Sequence, residues 1–201
     1  MINRRNRADG NEAKQEGIHE NGLTFSYGFT MMAQNGLKGS GMSAGGFLES
    51  LPDRAYFFDK GLRFACTQCG TCCTGEPGIV YVEADEASRI ASFLEIPFEV
   101  LVERMLDPFK DGYTVREAEQ GRCIFYENGC VVYPVRPVQC MTFPFWFQNT
   151  RSASAWEEVR VRCPGVGKGR LFTREEIITF VQASYPVYLK VVEFIYKGGG
   201  G

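Results

Sequence analysis

At 201 residues the chain is long enough for one domain with a real core, and an apolar fraction of 44% is ordinary for a globular protein. A formal charge of −2 excludes the broad basic field that would draw nucleic acid or an anionic membrane. Residues 1–22 lack the apolar stretch of a secretory signal, and no run reaches the length of a membrane span. The expectation is a cytoplasmic protein whose thiols stay reduced. Eight cysteines then read as metal ligands or redox groups rather than a disulfide framework.

Residues 1–48 are rich in Arg, Asn, Gly, Ser and Met and show no period. They cannot bury enough apolar surface to offset their ordering entropy, so a disordered arm is expected there. Met31, Met32 and Met42 are candidate alternative starts within it, and its His19 reads as solvated. The domain proper is expected over 49–197, with a frayed glycine tail at 198–201. Residues 54–64 read as a strand, a turn at Asp59-Lys60-Gly61 and a lead into the first cysteines. Ile79-Val80-Tyr81-Val82 suits a short strand. From Glu83 the period changes: Ala87, Ile90, Ala91 and Leu94 fall on one face of a helix, with Asp85 and Glu86 in its first turn. Pro97 ends this helix or opens the next. Phe98, Leu101, Val102 and Met105 make a second short helix, closed by Pro108.

Residues 112–117 read as a strand. Asn128-Gly129 between apolar runs is a strong hairpin signal, because both turn residues need positive φ. Phe143-Pro144-Phe145-Trp146-Phe147 reads as a wall around something that must stay dry, and Glu158 to Arg162 as a strand. Thr173 with Glu176 forms a capping box. A helix follows with Ile177, Phe180, Val181, Tyr188, Val191 and Val192 inward, kinked or split by Pro186. The class is α+β: a small, irregular, metal-centred domain with short antiparallel strands, two short helices inserted after the first cysteines, and a C-terminal helix.

All eight cysteines lie between residues 66 and 163. Cys66, Cys69, Cys72 and Cys73 form a CxxCxxCC motif, and Cys123, Cys130, Cys140 and Cys163 follow. Two thiolates two residues apart can face one ion, a unit shared by zinc and iron sites. Adding Cys72 puts three thiolates on one loop, as in ferredoxin loops that hold three corners of a [4Fe–4S] cluster. There the fourth ligand is a distant cysteine, often followed by proline, and Cys163-Pro164 has that form. The side chains of Cys72 and Cys73 are expected to diverge, so Cys73 serves a second centre or none. In a regular hairpin Cys130 would face Glu127, leaving Cys123 about 13 Å further along. Either the hairpin is irregular or these two cysteines belong to different places. In Tyr133-Pro134-Val135-Arg136-Pro137-Val138-Gln139-Cys140, two prolines hold Arg136 near Cys140, where its charge would offset that of a thiolate-bound cofactor. Gly165-Val166-Gly167-Lys168-Gly169 fails as a phosphate loop, since Arg162 and Gly169 stand where glycine and a hydroxyl are needed. No histidine-dependent triad or dyad is available.

The ordered set CxxCxxCC, Cys-x6-Cys, Tyr-x-x-Arg-Pro-x-x-Cys and Phe143-Pro144-Phe145 resembles the YkgJ-type cysteine-cluster proteins over about residues 60–165. That resemblance implies zinc or iron chelation by the eight cysteines, with Arg136 beside them, in a family whose members are labelled iron–sulfur oxidoreductases by inference. It supplies no reaction, and whether the chain is an enzyme is left open. Three readings follow: an iron–sulfur electron carrier with a redox partner, a zinc-stabilised binding module, and a cluster-dependent modifying enzyme. The third is kept open by a similar motif in flagellin lysine methylases.

Overall fold

The computed structural model describes residues 44–74 and 78–196. Residues 1–43 of the arm expected over 1–48, His19 and the glycine tail lie outside the described residues, whereas residues 44–48 of that arm belong to a helix. The described chain opens with α1 (Ala44–Ser50) and a 3₁₀ turn at Leu51–Asp53. Leu48 and Leu51 are buried, and Gln182 Nε2 donates to the Leu48 carbonyl. Residues 54–61 form turns rather than the expected strand: Asp59 N donates to the Tyr56 carbonyl and Gly61 N to that of Phe58. The strand is short, β1 (Leu62–Phe64), and pairs antiparallel with β7 (Arg170–Phe172).

A three-stranded antiparallel sheet runs in the order β2 (Tyr81–Val82), β4 (Gly112–Val115), β3 (Leu106–Phe109). The two inserted helices precede β3. In α3 (Ala84–Phe93), Ala87, Ile90 and Ala91 are buried, as their spacing requires. Its N-terminus is closed by a capping box between Glu83 and Glu86. Pro97 caps α4 (Phe98–Met105), which buries Leu101. Pro108 does not close α4: the helix ends at Met105 and the chain extends at once into β3. That strand pairs only with β4, so a proline is tolerated on it. Val82, Ile90, Leu101, Leu106, Val115, Phe125 and Val132 close one apolar core.

A second core is aromatic. Phe145, 1% exposed, stacks between Trp156 (5.7 Å) and Phe180 (5.6 Å), with Phe172 and Phe64 against it. The expected wall is therefore built into the packing of the C-terminal half. After the short helix α6 (Phe147–Thr150), the expected strand at 158–162 is instead the end of a helix, α7 (Ala153–Arg162). Ser152 Oγ accepts from Ala155 N and starts it, and Ala155, Trp156 and Val159 form its buried face. The last helix, α8 (Arg174–Tyr196), starts on the Thr173–Glu176 capping box and continues past Pro186 without splitting. Ile177, Phe180 and Val181 are buried on it, while Tyr188, Val191 and Val192 are half-buried. Lys190 Nζ ties it to the sheet through Tyr81 Oη (2.8 Å) and Asp111 (2.9 Å). Among the described residues no helix is long and apolar enough to cross a membrane.

Candidate metal centre

The root of the cysteine loop is a close crossing of two backbones. Ala65 N donates to the Gly165 carbonyl (3.1 Å), Gly167 N to that of Arg63 (2.8 Å), and Phe64 bridges Val166. A Cβ on Gly165 would overlap the Ala65 carbonyl, and one on Gly169 would fall 2.8 Å from that of Phe64. The glycines that imitate a phosphate loop are thus what let residues 163–169 lie against β1. They bring Cys163 within reach of Cys69 and Cys72.

The loop turns through positive φ at Gln68 and Gly70 into a single helical turn, α2 (Thr71–Thr74), which carries Cys72 and Cys73. Cys73 N (2.7 Å) and Thr74 N (2.9 Å) donate to the Gly70 carbonyl. Any side chain at Gly70 would overlap the Tyr126 phenol, which lies on the loop. α2 packs against β6 (Arg122–Cys123), and β6 pairs with β5 (Glu117–Ala118).

The segment after Cys123 corrects the regular-hairpin reading. Tyr126 N donates back to the Cys123 carbonyl, and Cys130 bridges Tyr126 rather than facing Glu127. Asn128 and Gly129 both take positive φ, as expected. The turn at 123–126 folds the strand back, so Cys123 and Cys130 both pack on the core containing Phe125 and Val132.

Cys140 sits on α5 (Val138–Thr142), which is bolted to the sheet region. Val138 N donates to Glu86 Oε1 (2.7 Å), so the buried Glu86 closes its own capping box and caps this second helix as well. Gln139 accepts from Tyr81 N (2.9 Å) and donates to the Ile79 carbonyl (2.7 Å), replacing a missing strand neighbour for β2. From the sequence Glu86 reads only as an acid in the first turn of its helix, and Gln139 is not singled out. The capping-box pattern explains half of what Glu86 does, and nothing local signals the rest. Arg136 is held by Tyr133: its Nε donates to the Tyr133 carbonyl (2.9 Å) and its guanidinium lies 3.6 Å over the Tyr133 ring.

The sulfurs share one neighbourhood. Cys72 is within electrostatic reach of Cys69, Cys73, Cys123, Cys130, Cys140 and Cys163, and Cys66 is within reach of Cys130. Contrary to the expected divergence, the Cys72 and Cys73 sulfurs are 3.7 Å apart. One turn of helix holds both at the tip of the loop. Their contact lowers the Cys72 thiol to about 6 and pushes Cys73 up, so the pair gives up one proton easily and resists losing the second. The Thr71 hydroxyl, 3.3 Å from its sulfur, holds Cys69 below the usual thiol range. Burial pushes up Cys123, Cys130 and Cys163, and the backbone amides of Phe125, Val132 and Gly165, each two residues on, partly offset it. Burial also pushes up Cys140, and the Arg136 charge partly offsets that rise.

Cys66, Cys69 and Cys72 are exposed and the other five are half-buried. Among the described residues, no three Cys, His, Asp or Glu side chains yet stand close enough to hold one ion. The donor set is soft and all-sulfur, with amides and one guanidinium to take up thiolate charge, and it fits zinc or iron.

Residues 65–164, about half of the chain, match the CxxCxxCC family, described as "Putative zinc- or iron-chelating domain". Two relatives come from Methanocaldococcus jannaschii. Uncharacterized protein MJ0661 is 33% identical over 93 residues, 44% of this chain and 48% of its own length. Uncharacterized protein MJ0939 is 21% identical over 145 residues, 70% of this chain and 50% of its own. The chain thus spans about half the length of these relatives. No solved structure matches it. The matched stretch contains all eight thiols gathered around the loop, and through it the chain belongs to the CxxCxxCC family of metal-chelating domains.

Proposed function

We propose that the domain holds an iron–sulfur centre, of the [4Fe–4S] kind, and passes electrons to and from a redox partner. The observation that carries this reading is the CxxCxxC loop whose root is tied by backbone hydrogen bonds to Gly165 and Gly167, just after Cys163, which brings Cys163 within reach of Cys69 and Cys72. When bound, such a cluster takes up and returns single electrons. The chain's own residues would set its potential. Backbone amides aimed at the sulfurs and the Arg136 guanidinium stabilise added negative charge.

A second reading, a zinc-stabilised binding module, is favoured by one distance. The 3.7 Å between the Cys72 and Cys73 sulfurs is close to the edge of a tetrahedral zinc–thiolate site, about 3.8 Å for Zn–S bonds of about 2.3 Å. Metal content and acid-labile sulfide, measured on protein purified without oxygen, separate the two. About four iron and four sulfide per chain are expected for the first reading. Zinc without sulfide would overturn electron transfer and leave the binding module.

A further inference from the structure

We propose that the basic face beside the cysteine loop, where residues 60–74 and 160–170 cross, is a docking surface for a small acidic redox protein. The purpose of the contact rests on the electron-transfer reading, whereas the binding itself does not.

Charge is divided unevenly in this chain. Residues 60–74 and 160–170 hold six Lys and Arg and no Asp or Glu. The remainder holds sixteen Lys and Arg against all 24 Asp and Glu, so a basic patch sits on an otherwise acidic molecule. The fold brings the two segments together. Arg63 pairs with Leu171 and Phe64 with Arg170 across β1 and β7. Gly167 N donates to the Arg63 carbonyl, and Arg63 Nη1 donates to that of Gly169 (2.8 Å). Arg63, Arg162, Lys168 and Arg170 are all exposed. Arg160 and Arg170 are paired with Glu157 and Glu176. Among the described residues, Arg63, Arg162 and Lys168 have no carboxylate within ion-pair distance. A partner with a negative patch supplies the carboxylates that this chain does not.

The same face carries apolar surface that the fold leaves uncovered. Leu171, opposite Arg63, is 46% exposed, and Val161, beside Arg162, is 78% exposed. Apolar residues among charged ones are the makeup of a protein contact, with burial at its centre and charge at its rim. The exposed thiols Cys66, Cys69 and Cys72 follow Arg63 along the chain, so a partner seated here sits next to the open side of the loop. An extended polyanion such as nucleic acid would also meet the acidic remainder of the molecule, which repels it. A compact acidic protein touches this face alone.

The test uses the full chain purified without oxygen and, as the probe, a plant-type [2Fe–2S] ferredoxin, a small acidic redox protein. Affinity is measured by isothermal titration calorimetry. Ferredoxin should bind at about 20 mM salt and weaken about tenfold by about 200 mM. The double variant Arg162→Glu with Lys168→Glu should weaken binding about tenfold at low salt, with metal content unchanged. Leu171→Ser should weaken it about threefold at either salt concentration. Arg104→Glu, on α4, should change nothing. An affinity indifferent to salt or to the double variant overturns the docking surface, and so does tighter binding of the basic protein cytochrome c or of single-stranded DNA. Oxidation of reduced ferredoxin by the chain is followed in parallel. Salt-sensitive binding without oxidation supports the docking surface and overturns electron transfer. Oxidation that ignores both salt and the double variant does the reverse.

Discussion

The sheet region and the cysteine region are held together by different physics. Around β2, β4 and β3, apolar side chains leave water almost completely: Val82, Ala87, Ile90, Leu101 and Leu106 have no exposed surface. Each contributes about 1.5–3 kcal/mol of transfer free energy if large and fully buried. The loop at 66–74 has one turn of helix, three exposed thiols and no buried apolar side chain. Its position comes from backbone contacts at Ala65–Gly165 and from the Tyr126 ring on Gly70. One region folds by burial; the other is placed by its neighbours and, on the proposed reading, would be completed by bonds to metal.

Stripping the metal should widen this contrast more than any substitution. Thiolate–metal bonds supply on the order of 10 kcal/mol in small metal domains. Hydrogen exchange on stripped protein should lose protection across residues 62–74 and 122–140, while α3, α4 and the sheet keep theirs. Equal loss in both regions would break the comparison.

Two substitutions test it from opposite sides. Leu101→Ala should cost about 2–5 kcal/mol in a denaturant titration with metal content unchanged. Gly70→Ala places a side chain against the Tyr126 phenol at φ +80°, and should cost about 1–3 kcal/mol and lower metal content with it. Metal lost from the first variant, or fully kept by the second, would show that the regions are not separable in this way.

The link between the regions gives the smallest and most pH-dependent effect. Burial raises the Glu86 carboxyl above its ordinary value, and hydrogen bonds from Glu83 N and Val138 N offset only part of that. A raised folded value means that the native state holds the proton more tightly than the unfolded chain. The stability this gives is complete below about 4.3, the unfolded value, and is lost as pH rises through the folded value. Glu86→Gln removes one of two acceptors, costing about 1–3 kcal/mol, and removes this pH dependence. Urea midpoints measured from pH 4 to 7 should therefore converge between wild type and variant as pH rises. Parallel curves would mean that Glu86 does not titrate in the fold.

Local pattern carried much of this protein. The spacing of Ala87, Ile90 and Ala91, the Thr173–Glu176 box and the run at Tyr81–Val82 are short-range signals, and α3, α8 and β2 follow them. So do the α+β class and the family motif. Local pattern misled where two periods competed. Val159-Arg160-Val161-Arg162 alternates like a strand, yet Val161 is 78% exposed and the Ser152 cap commits the segment to a helix.

What only the tertiary structure decided is which distant residues meet. Gly165 lies against Ala65, Glu86 caps the helix of Cys140 from 52 residues away, and the turn after Cys123 swings Cys130 onto the same core. Spacing along a chain reports the few residues that one helix or strand brings together. Contacts between segments 50 or 100 residues apart depend on how every apolar face is covered at once, and the arrangement of the eight thiols is a product of that packing.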